Sequence, residues 1–187
     1  MADTTDEIHT IPVEGIHGDE VTAWFATHVP EAQPPLAFAL LAGGRSNLTY
    51  SVTDSDGARW VLRRPPLGHV LATAHDMARE HRIISALAPT PVPVAPVIGL
   101  SPDDSVNGAP FYVMAFVDGP IVRNAEGARL LPVEHRARAT ESIVDVLAEI
   151  HAVDVEAVGL SDLGRHEGYI ERQLKRWQGQ WEKSKTR

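Results

Sequence analysis

The chain has 187 residues, with 17 Lys and Arg against 25 Asp and Glu, a formal net charge of −8 and no cysteine. The missing thiols exclude a disulfide framework, a thiolate zinc site, an iron–sulfur cluster and a cysteine nucleophile. The acidic balance argues against a nucleic-acid binder, whose phosphate affinity is built from surplus cations, and the length allows one domain, or one and part of another.

Met1 to Thr10 carries Asp3, Asp6 and Glu7 where a secretory signal carries positive charge ahead of an apolar run, which reads as a cytoplasmic start. Asp19–Val29 reads as a helix capped by Asp19, with Val21, Trp24, Phe25 and Val29 close to one face. Three short runs follow, Leu36–Ala42, Leu48–Thr53 and Ala58–Arg64, separated by Gly43-Gly44 and by Asp54-Ser55-Asp56-Gly57, and they read as an antiparallel meander. The first of these is also far too short to cross a bilayer, which takes about 20 apolar residues, so no membrane partner is expected.

Thr73–Ala88 reads as a second helix ended by the Pro-rich Pro89–Pro96. Val94–Leu100 and Phe111–Val117 read as two more strands, joined by a turn-rich connector ending in Gly108. Beyond Asp118-Gly119-Pro120 the pattern is helical only. Pro132–Val153 sets Ile143, Val146, Leu147 and Ile150 on one face, and His166–Lys183 does the same for Ile170, Leu174, Trp177 and Trp181. Consecutive strands with one inserted helix predict an α+β fold rather than a parallel crossover sheet. The expected organisation is a helical extension over residues 1–35, a sheet-bearing lobe over 36–119, and a linker with helices over 120–187.

Four segments could carry chemistry. Gly43-Gly44-Arg45-Ser46-Asn47 is a glycine turn between strands, where backbone N–H groups can approach a phosphate; a hairpin whose glycines serve only turn geometry has the same signature. Trp60-Val61-Leu62-Arg63-Arg64 ends in two cations, and alternation places only Arg63 on the face of Val61. An arginine at such a strand end is ordinarily solvated. In the helix that follows, Glu80 could pair with an arginine of the neighbouring strand, a contact that spacing alone does not establish. Phe111 to Val117 is an apolar strand leading out of the sheet, suited either to a core or to the wall of a flat heteroaromatic ring.

In this order the segments resemble the aminoglycoside phosphotransferase/choline kinase-like family, whose fold is protein kinase-like. Within it they are most similar to the branch of the kinase-like domain of acyl-CoA dehydrogenase family members 10 and 11. The residues carrying the resemblance are Gly43 to Tyr50, Val61 to Pro66, Ala78 to Arg82, Tyr112 to Gly119 and Leu147 to Asp154, followed by Val158-Gly159-Leu160 and Arg172 to Trp177. The resemblance implies a five-stranded antiparallel sheet with one packed helix, then the first helices of an α-helical lobe.

It further implies a site for ATP or another nucleoside triphosphate. Gly43, Gly44, Ser46 and Asn47 would cover the phosphates. Arg63 would take the place of the usual strand lysine, oriented by Glu80. Met114 would back the base, Val61 would pack on it, and Ala115, Phe116 and Val117 would supply hinge backbone. Arginine keeps the charge of lysine but presents a planar fork.

Phosphoryl transfer also needs a catalytic Asp, an Asn for metal and a second metal-binding Asp. The nearest match, His151-Ala152-Val153-Asp154, has the wrong spacing and carries Gly159 where the Asn belongs. It reads as a helix end, so no catalytic or metal-binding residue is assigned, and Mg2+ is expected only with a further lobe. The nine histidines show no metal-ligand spacing. The chain therefore reads as the front part of a longer kinase, inactive alone, whose acceptor would be a hydroxyl group on an aminoglycoside, a choline-like alcohol or a hydroxyacyl-CoA. A non-catalytic nucleotide-binding or regulatory module and a plain interaction domain are the alternatives. The Trp177 and Trp181 face offers a pairing surface for a second copy, as a homodimer.

Overall fold

The computed structural model describes residues 13–41, 47–68, 75–122, 124–164 and 167–184. Five strands, β1 (Ala37–Leu40), β2 (Leu48–Thr53), β3 (Arg59–Arg64), β4 (Val97–Ser101) and β5 (Phe111–Ala115), form one sheet in the order β1-β2-β3-β5-β4. Every neighbouring pair is antiparallel. The helices are α1 (Gly18–His28), α2 (Met77–Leu87), α3 (Ala125–Leu130), α4 (Val133–Ala152) and α5 (Tyr169–Ser184). This is the expected α+β arrangement, one five-stranded antiparallel sheet followed by helices.

Period-two alternation divides the sheet residues between two faces. Phe38, Tyr50, Val52, Trp60, Leu62, Phe111 and Val113 are buried on one face, where Val21, Trp24, Phe25 and Val29 of the α1 segment complete the core. Each such side chain contributes about 1.5–3 kcal/mol when fully buried. The helical extension is thus built into the same core as the sheet. Asp19 does not cap α1: His17 holds the N-cap position without a side-chain cap, and Asp19 and Glu20 lie in the first turn, where carboxylates favour the helix dipole.

The other face carries Thr49, Val61, Arg63, Tyr112 and Met114, and α2 brings Glu80 to it. Asp76 caps α2, its carboxylate accepting from the Arg79 N–H at 2.9 Å. The helix therefore starts at Met77, later than Thr73, which lies outside the described residues. The short helix α3 was not expected; Asn124 caps it through the Gly127 N–H at 2.8 Å.

The chain divides into two compact units, the first ending at Ala152 and the second starting at Val153. In the first, α4 has the predicted length, but none of its side chains is buried, and Ile143 and Leu147 are exposed by half or more. In the second, Ile170, Leu174, Trp177 and Trp181 form the predicted stripe on α5, also more than half exposed. No helix among the described residues is long and apolar enough to cross a membrane.

Candidate functional site

Strand register lines up the polar residues of the α2 face. Arg63 lies opposite Thr49 on β2 and opposite Tyr112 on β5, so three neighbouring strands place these side chains in one row. The next row, two residues along β3, holds Ser51, Val61 and Met114, with Val97 beyond. The rows are about 7 Å apart by strand geometry. Glu80 reaches the first row from α2.

Glu80 is the centre of the polar group. Its Oε2 accepts from Arg63 Nε at 2.8 Å and from the Tyr112 hydroxyl at 3.2 Å, and its Oε1 accepts from Asn47 Nδ2 at 2.6 Å. Arg63 also donates through Nη1 to Thr49 Oγ1 at 3.1 Å. The Arg63 and Glu80 side chains are each about one-third exposed, at 30% and 32%, so the pair is open to a ligand from one side. Burial, followed by the charge of Glu80, pushes the Tyr112 phenol well above its ordinary range, so it remains an O–H donor. His81, edge-on to the Tyr112 ring, is held below the ordinary histidine value by burial.

Asn47 is buried, and its amide faces Glu80 and His75 rather than the solvent above the sheet. Val61 is buried in the second row, Met114, Ala115 and Phe116 are half-buried, and Val117 is exposed. The β3–β5 ladder ends at the Trp60–Ala115 pair, and the Ala115 N–H is committed to Pro96 O at 2.8 Å. Phe116 and Val117 lie past that last pair. Their exit is strapped by Arg59, whose guanidinium lies 4.0 Å from the Phe116 ring centroid and pairs with Asp118. Gly43, Gly44 and Ser46 lie outside the described residues.

Alternation separated Arg63 from Arg64 as expected, but Arg64 is not solvated. It turns into the opposite face, 6% exposed, and donates to the carbonyls of Gly15 and Asn107. Asn107 ties the same segment through Nδ2 to Gly15 O at 3.2 Å, and accepts from the His17 N–H at 2.8 Å. Thr49, His75, Tyr112 and Arg59 were not singled out from the sequence, because their places depend on strand register and on how α2 lies over the sheet.

At the end of α4, His151 falls in the last helical turn, and Asp154 accepts from the N–H groups of Glu156 and Ala157 at 3.0 and 3.1 Å. Asp154 is thus engaged in organising a turn. Among the described residues no group of three or more His, Asp or Glu side chains could hold a metal ion.

The family model described as "Phosphotransferase enzyme family" matches residues 37–187. Acyl-CoA dehydrogenase family member 10 of Mus musculus is 37% identical over 152 residues, covering 81% of this chain and 14% of that protein. Acyl-CoA dehydrogenase family member 11 of Rattus norvegicus is 30% identical over 185 residues, covering 97% and 24%. A crystal structure from Ralstonia eutropha JMP134, assigned as an aminoglycoside phosphotransferase, superposes with a TM-score of 0.72 at 32% identity, covering 92% of this chain and 49% of that one. The chain thus spans about half the length of the solved neighbour and at most a quarter of these two relatives.

Proposed function

The chain belongs to the phosphotransferase enzyme family, and from that premise we propose that it forms the nucleotide-binding part of an ATP-dependent phosphotransferase with a hydroxyl acceptor. The observation that carries this reading is the position of Arg63, paired with Glu80 at 2.8 Å, one strand row from Val61 and Met114. A planar base placed on the Val61–Met114 row would have the peptide groups of Phe116 and Val117 at its edge. The ribose would bridge to the Arg63 row, where the guanidinium donors beyond those on Glu80 and Thr49 would meet the α- and β-phosphates. Gly43, Gly44 and Ser46 would cover those phosphates from the glycine turn.

A nucleotide fits this donor set, and among the described residues no group of three or more His, Asp or Glu converges to hold a metal ion. Bound ATP supplies the phosphoryl group, and the residues here bind and orient it. Glu80 accepts from three donors, which makes it a holder of Arg63 rather than a base for the acceptor hydroxyl. The acceptor we favour is a hydroxyl borne on an acyl-CoA, supported by the acyl-CoA named in the relatives' descriptions. A non-catalytic nucleotide-binding module is the second reading, favoured by the engagement of Asp154 in a turn.

The test is a thermal melt with ADP. At about 100 times its Kd a ligand adds about 2.7 kcal/mol, or about 5–10 °C in Tm for a chain of this size. The rise should be lost in Arg63→Ala. No rise in the wild type would refute nucleotide binding, and phosphate transfer to hydroxyacyl-CoA by the whole protein separates the two readings.

A further inference from the structure

Resting on the nucleotide reading above, we propose that Tyr112 and Asn47 are positioning residues. They fix the carboxylate of Glu80 so that Arg63 is held in one orientation toward the phosphates of the nucleotide. A lone ion pair that is one-third exposed is a weak orienter, because both side chains keep rotamer freedom. Here the carboxylate is caught from three places at once: β3 through Arg63 Nε, β5 through the Tyr112 hydroxyl, and the entry of β2 through Asn47 Nδ2.

The proton assignments make the clamp directional. A carboxylate only accepts, so the amide nitrogen of Asn47 must face Glu80, and its Oδ1 is turned to His75 Nδ1 at 2.5 Å. That nitrogen of His75 therefore carries the proton, and His75 in turn fixes the amide. Tyr112 is 2% exposed, and burial together with the charge of Glu80 keeps its hydroxyl protonated. Asn47 stands immediately before β2, while His75 stands just before the Asp76 cap of α2. The entry of β2, α2 and Arg63 are thereby linked through one carboxylate.

Binding of ADP and, separately, of adenosine is measured by calorimetry on the whole chain for the wild type, Tyr112→Phe and Asn47→Ala. Each variant should lose about tenfold in ADP affinity, the effect of one hydrogen bond to a charged group, with adenosine affinity unchanged. Equal losses for both ligands would mean a merely structural role, and unchanged ADP affinity in both variants would also overturn the proposal. A wild type that binds ADP no better than adenosine defeats the nucleotide reading itself, before any variant is compared. A ligand-free readout stands beside this one: the Arg63 Nε–H should exchange slowly with solvent in the wild type and faster in both variants by nuclear magnetic resonance. No acceleration in either variant overturns the clamp whatever the nucleotide does.

Discussion

Arg64 turns into the α1 side of the sheet and donates to the Gly15 and Asn107 carbonyls, while Arg63, one residue earlier, turns to the α2 side and pairs with Glu80. Adjacent residues of one strand point to opposite faces, so two identical side chains meet opposite demands. Burial pushes the Arg64 guanidinium below its ordinary range, and among the described residues its hydrogen-bond partners are the carbonyls of Gly15, Pro65 and Asn107. Its contribution lies in donating to the Gly15 and Asn107 carbonyls, the first of which it shares with Asn107 Nδ2. Arg64→Ala should cost about 1–3 kcal/mol, read as a Tm lower by several degrees. Arg63→Ala, which removes a pair about one-third exposed, should cost at most about 1 kcal/mol without nucleotide but abolish the ADP-dependent rise. Equal destabilisation by the two variants would contradict this division of roles.

Between elements, a close fit lies where Trp24 of α1 crosses Gly99 of β4. A Cβ built on Gly99 would stand 2.9 Å from Trp24 Cη2 and 3.0 Å from Cζ2. The indole cannot step aside easily, since it stacks on His28 with centroids 4.0 Å apart and meets Phe111 edge-on at 5.1 Å. Gly99→Ala should therefore cost about 1–3 kcal/mol as overpacking. In a Trp24→Phe background, which lacks those two ring atoms, the same substitution should cost less, and a thermodynamic cycle from denaturant melts measures the difference.

These examples also show what local pattern can carry. The bounds of β2, Leu48–Thr53, follow from alternation between turns, and so does the opposite facing of Arg63 and Arg64. The β5 strand stops at Ala115 rather than Val117 because its ladder with β3 ends there, a limit set by a strand about 50 residues away in the chain. Tyr112 and Asn47 meet Glu80 only after register and helix placement are known. The six residues of α3 are too few for a period to be seen. Arg64 reads as solvated until the segment around Gly15 is laid against it.

Across the whole molecule, burial is uneven. The sheet and α1 hold the core, while α4 has no buried side chain and the α5 stripe is more than half exposed. Local opening costs least where few apolar contacts are broken, so amide exchange should be slowest in β2, β3 and β5 and faster by orders of magnitude in α4 and α5. Nucleotide binding adds a second, independent expectation. ADP should deepen protection in β3, α2 and the exit from β5, which carry Arg63, Glu80 and Phe116, and should leave α5 unchanged. Exchange followed by mass spectrometry with and without ADP reads both patterns in one experiment. Protection that rose uniformly along the chain would indicate general stabilisation by the ligand rather than a site on the α2 face of the sheet.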